Sequence, residues 1–136
     1  MSPRTKKNLN AAMERDALAA ATYERFAARA RREGDWELAQ AFQETADADS
    51  GQHFSKELDL QGGIASTAEN LRKAIEAETM EIEMFARFLS EATEDGDLLA
   101  ARAFEKIRKD KLSRCAKFEA ILAEIGVHSD VQTIMQ

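Results

Sequence analysis

Apolar residues recur every three to four positions along this chain, the period of an α-helix that packs on one face, and they do so in four separate stretches. Residues that start or stop helices bound each stretch. Ser2-Pro3 sets an N-cap before a proline at the first helical position, where the missing N–H costs nothing, and the first helix is expected to run to about Arg32, just before Gly34. Asp35 can cap a second helix from Trp36 to about Leu60, closed by Gly62-Gly63. Ser66-Thr67-Ala68-Glu69 forms a capping box, in which serine and glutamate each satisfy an orphan N–H of a third helix. Gly96-Asp97 repeats the stop and cap before a fourth helix, expected to end at Gly126. Long helices joined by short connections become antiparallel neighbours. The predicted fold is therefore an all-α, antiparallel four-helix bundle over residues 1–126, followed by a weakly apolar C-terminal tail, 127–136, expected to fray.

The pattern repeats itself at an offset of 62 residues. Asn8-Leu9 falls on Asn70-Leu71, Arg25-Phe26 on Arg87-Phe88, Gly34-Asp35 on Gly96-Asp97, and Ala41-Phe42 on Ala103-Phe104, with no gap required. Caps, turns and apolar positions recur together, so the bundle is expected to consist of two related helical hairpins.

Each apolar stripe is broken midway by ionisable residues. The first reads Leu9, Ala12, Asp16, Ala19, Tyr23, Phe26; the second Leu38, Phe42, Thr45, Asp49, then Gln52 or His53, then Lys56. The third holds Glu78 and Glu81 ahead of Phe85 and Phe88, and the fourth holds Lys111 and Arg114 between Ile107 and Phe118. The repeat pairs Asp16 with Glu78 and Asp49 with Lys111. Buried charge is costly unless it is paired or metal-bound, so repeat-related placement points to a built polar cluster rather than to stripe edges reaching water.

Composition narrows the functional classes. The net charge of −6, with both signs interleaved, argues against nucleic acid as a partner. No apolar run approaches the roughly 20 residues of a membrane span. Cys115 is the only cysteine, so no internal disulfide can form and no CxxC pair exists, which with the lack of an apolar leader region suggests a cytoplasmic protein.

Carboxylates projecting inward from a helical bundle are the ligand scheme of ferritin-like di-iron proteins. Residues 8–125 resemble the rubrerythrins, notably in Glu44-Thr45-Ala46-Asp47, Thr67-Ala68-Glu69-Asn70-Leu71 and Glu78-Thr79-Met80-Glu81. The resemblance implies a glutamate from helix one, E-x-x-H from helix two, E-x-x-E from helix three and E-x-x-H from helix four. Here helix three matches with Glu78 and Glu81. Helix one offers Asp16. Helix two offers Asp49 and Gln52, with His53 one residue late. Helix four has Lys111 and Arg114 where a glutamate and a histidine would stand. Lysine and arginine are donors only, so these two are expected to act as ion-pair substitutes for ligands.

The resemblance thus implies a rubrerythrin-like protein with a partly dismantled di-iron site, metal-free in the favoured reading and working as a binding or regulatory module. The alternative is a non-haem iron or manganese oxidoreductase of peroxidase or oxidase type, active in oxidative stress, with Asp16, Asp49, His53, Glu78 and Glu81 as metal ligands. Tyr23 and Gln52 would stand behind that ligand set, although Tyr23 also suits an ordinary core aromatic. Rubrerythrins pass electrons through a rubredoxin domain built on CxxC pairs, so any electron donor is expected to be a separate protein. By the same resemblance the assembly is expected to be a homodimer.

Overall fold

In the computed structural model the backbone is described for residues 1–135 and the side chains for residues 1–126. Helix α1 spans Pro3–Arg32 and α2 spans Trp36–Asp47. A π-helical turn, Ala48–Phe54, continues α2 without a break into α3, Ser55–Gln61. Then follow α4, Thr67–Glu94, and α5, Leu98–Met135. The protein is all-α, with no strand among the described residues, and its four helical rods are the content of a four-helix bundle. No helix among the described residues is long and apolar enough to cross a membrane.

The rods form two compact units, Met1–Ile64 and Ala65–Gln136, each a helical hairpin. Their boundaries follow the caps. Ser2 accepts from the Thr5 N–H at 3.1 Å, Asp35 from Leu38 at 3.1 Å, and Ser66 from Glu69 at 3.2 Å. Both hairpin turns close identically. Asp35 N–H donates to Ala30 O at 2.9 Å and Asp97 N–H to Ala92 O at 2.8 Å, while Gly34 and Gly96 take the left-handed conformation at φ 79° and 77°. Only glycine enters that region without strain, so the turn is written into both repeats.

Packing repeats as well. In the first hairpin Tyr23 stacks on Phe42 at 6.0 Å between centroids, and Phe26 meets both rings edge-on at 5.9 and 5.4 Å. In the second, Phe85, Phe88 and Phe104 form the same trio at 5.7–5.9 Å. The buried residues Ala30 and Ala39 likewise have buried counterparts in Ala92 and Ala101. Alanine lets the paired helices approach closely, and the trio locks the register just beyond the charged positions.

Two boundaries differ from the sequence expectation. The second rod is not α-helical throughout, because of the π-turn. And α5 does not stop at Gly126: a lone glycine in a helix costs only about 1 kcal/mol relative to alanine, and no proline follows to end the run. The side chains of the tail, 127–136, lie outside the described residues.

Candidate metal centre

The first hairpin gathers three of the residues singled out from sequence. Asp16 comes from α1, Asp49 and His53 from the π-turn, and one ligand-type atom of each lies within 4.8 Å of the other two. His53 Nδ1 is 3.1 Å from Asp49 Oδ1. The Asp49 side chain is largely covered, whereas the His53 ring is 54% exposed and reaches the cluster from its rim.

The π-turn explains why His53, and not Gln52, joins Asp49. On an α-helix residues three and four apart both neighbour Asp49; the i→i+5 bonding takes in about one more residue per turn, which favours the residue four apart over the one three apart. Asp49, His53 and Glu57 therefore succeed one another along the face, while Gln52 and Lys56, placed on the stripe by α-helical spacing, are rotated out and exposed. Ser50-Gly51 makes the widened turn accessible, since both form α-helix poorly, and Ser50 and Ser55 hydroxyls donate to the Asp47 and Ser50 carbonyls at 3.4 and 3.2 Å.

Glu57 is the residue that sequence reasoning missed. Its Oε2 is closed off from solvent and has no hydrogen-bond partner. A proton shared with Asp16 holds its carboxyl above the ordinary carboxylate range, burial and the charge of Asp16 add to this, and His53 pulls the other way. One clue to it did exist: the 62-residue repeat places Glu57 on Glu119, an acidic residue at the same distance beyond the charged cluster.

That raised pKa has a consequence for the metal-free protein. Folded Glu57 holds its proton more tightly than the unfolded chain does, so its stabilising contribution is present at acid pH and is lost as pH rises through the folded value. Glu57→Gln, which fixes the protonated shape, is expected to raise the melting temperature more at neutral pH than near pH 4, where both states are protonated to a similar degree. Parallel thermal melts of parent and variant across that range check it; an advantage that does not grow with pH would contradict the shared proton.

The second hairpin fills the related positions differently. Lys111, where the repeat puts Asp49, donates from Nζ to Glu81 Oε2 at 2.6 Å and lies 3.6 Å from Glu78 Oε2. Arg114 donates to Glu78 Oε1 at 3.2 Å. The Glu78 and Lys111 side chains are only 12% and 16% exposed, and Lys111 Nζ sits over the Phe85 ring at 5.8 Å. Two carboxylates thus face two cations in one closed network. Further along the face, buried Cys115 takes the place of His53 and directs its Sγ at Glu119 Oε1, 3.7 Å away, with Thr79 Oγ1 at 3.8 Å. Tyr23 belongs to the first aromatic trio, its ring engaged by Phe26 and Phe42.

The sequence is 31% identical to a rubrerythrin of Porphyromonas gingivalis (strain ATCC BAA-308 / W83) over an alignment 136 positions long that covers 90% of this chain and 68% of that protein. The chain belongs to the rubrerythrin family. No protein-family model matches it. Of the positions compared with rubrerythrin ligands, Asp16, Asp49 and His53 meet in one hairpin, and Glu78 and Glu81 meet Lys111 and Arg114 in the other. The second set does not suit metal: an ammonium and a guanidinium carry no lone pair, and they donate to Glu81 Oε2 and Glu78 Oε1, with Lys111 also 3.6 Å from the otherwise unpartnered Glu78 Oε2. The first set does suit it, with an acidic oxygen left over at Glu57.

Proposed function

We propose that this rubrerythrin-family protein has a di-iron centre dismantled on the second-hairpin side, and that it serves as a binding or regulatory module rather than a two-metal peroxidase. The carrying observation is the Lys111–Glu81 pair at 2.6 Å, with Glu78 held between Lys111 and Arg114. A two-metal cycle needs carboxylates and imidazoles free to bind and shift between the ions. In this reading Glu78 and Glu81 are committed to cations fixed in the chain, and helix four contributes no ligand. The protein would work as a cytoplasmic homodimer, the dimer covering apolar side chains such as Phe26 and Ile121, which stand about half exposed.

A second reading, an iron or manganese oxidoreductase supplied by a separate electron donor, is favoured by the cluster of Asp16, Asp49 and His53. The two are separated by loading the protein with excess Fe(II) without oxygen, removing free metal, and measuring iron per chain and peroxide consumption. Fewer than two irons and no peroxide turnover above a protein-free control are expected. Two irons with sustained turnover would establish the oxidoreductase instead.

A further inference from the structure

We propose that the first hairpin alone binds a single divalent cation of the manganese(II) or iron(II) class, held by Asp16, Asp49, His53 and Glu57. The inference rests on the reading above only in taking the second hairpin as closed by its own cations.

The geometry carries it. Ligand atoms on opposite sides of such an ion, each about 2.1 Å from it, stand about 4.2 Å apart. The donor atoms of Asp16, Asp49 and His53 are already within 4.8 Å of one another, so small side-chain rotations suffice to close them on one ion. The fourth member, Glu57, lies outside that trio. Glu57 Oε2 is shut off from water without a hydrogen-bond partner, as is Glu78 Oε2, but Glu78 has the Lys111 ammonium 3.6 Å away and Glu57 has no lysine or arginine paired with it among the described residues. No lysine or arginine pairs with Asp16, Asp49 or Glu57 among the described residues, in contrast to Glu78 and Glu81.

The donor set selects the ion. Three carboxylates and one imidazole, with no thiolate, match hard to borderline ions that accept oxygen ligands; zinc is the competitor expected from the general affinity order. The spacing of the ligands differs from the E-x-x-H scheme of the family. Asp49, His53 and Glu57 are four residues apart, Asp49 and His53 within the π-turn and Glu57 in the α-helix that follows, and π-turns recur at functional sites. Because Asp16 lies on α1 and the others on the partner rod, the ion would tie the two rods of the hairpin together. Its arrival would stiffen this unit and give a regulatory protein a means of responding to metal supply.

The test uses the full chain, freed of metal by chelator, titrated with Mn(II) and followed by the loss of the free-ion EPR signal and by thermal melting. One equivalent per chain and a rise in melting temperature are expected. His53→Ala and Glu57→Gln are each expected to weaken binding by about tenfold or more, whereas Glu119→Gln, the same change at the repeat-related position, leaves it unaltered. Glu57→Gln relieves repulsion in the metal-free state, so a folding defect cannot mimic its effect. Absence of binding, or binding indifferent to both first-hairpin variants, overturns the proposal. Two equivalents, one of them lost in those variants, uphold it and overturn the closed second hairpin.

Discussion

Lys111→Ala is expected to destabilise the metal-free protein by about 2–3 kcal/mol. Removing one partner of a fully buried ion pair costs about 3–5 kcal/mol, because the charge left behind keeps its desolvation cost and loses its compensation. Lys111 and Glu78 are both nearly covered, and Glu78 Oε2 has no other cation or donor close to it. Glu81 is 43% exposed and can recover water, which brings the expected loss below the fully buried figure. The contact with the Phe85 ring disappears too, at about 0.5–1 kcal/mol. Arg114→Ala is the comparison that gives the number meaning. Its side chain is 52% exposed, and exposed pairs contribute about 0–1 kcal/mol. Urea denaturation, which avoids screening the charges, should therefore rank Lys111→Ala well above Arg114→Ala, with Lys109→Ala, from an exposed pair with Glu105, near zero. Equal losses at Lys111 and Arg114 would mean that Lys111 holds no special place in the network.

How far such a network could be read in advance depended on which rule each residue obeyed. The helix ends were legible because caps and stop glycines act locally: Ser2, Asp35 and Ser66 accept the N–H groups their chemistry suggests. The two-hairpin repeat was legible because it recurs in turns and in aromatic rings, down to the matching trios around Phe42 and Phe104. The pairing of Lys111 with the helix-three carboxylates followed from donors standing where acceptors were required. What failed was the assumption of one period. A 3.6-residue stripe through helix two leaves Gln52 and His53 both open and passes from there to Lys56, missing Glu57; the widened turn at Ala48–Phe54 favours His53. Ser50-Gly51 hints at weak α-helix there, but nothing local distinguishes a π-turn from a plain kink. Gly126 misled in the opposite sense: a glycine with no cap geometry and no following proline does not end a helix.

Restoring the missing helix-four ligands is expected to have the largest effect on metal binding. Lys111→Glu with Arg114→His rebuilds E-x-x-H on α5, its two side chains three residues apart and hence on one helix face, opposite Glu78 and Glu81 on α4. Without metal the change is costly. A network of two carboxylates and two cations becomes three carboxylates with a neutral imidazole, so repulsion replaces attraction at separations where the parent has 2.6–3.6 Å contacts. The metal-free double variant should melt well below the parent. Added Mn(II) or Fe(II) should then reverse the loss, because an ion bound to the folded state alone adds about 2.7 kcal/mol at a hundred times its dissociation constant. The decisive quantity is the difference between the proteins: the variant should take up one equivalent more than the parent, and that equivalent should disappear on further changing Glu81 to glutamine while the first-hairpin equivalent persists. If the variant gains no equivalent, the cations at Lys111 and Arg114 are not what closes the second hairpin. The loss would then lie elsewhere on α4 and α5, for Lys111 and Arg114 already face Glu78 and Glu81 from α5.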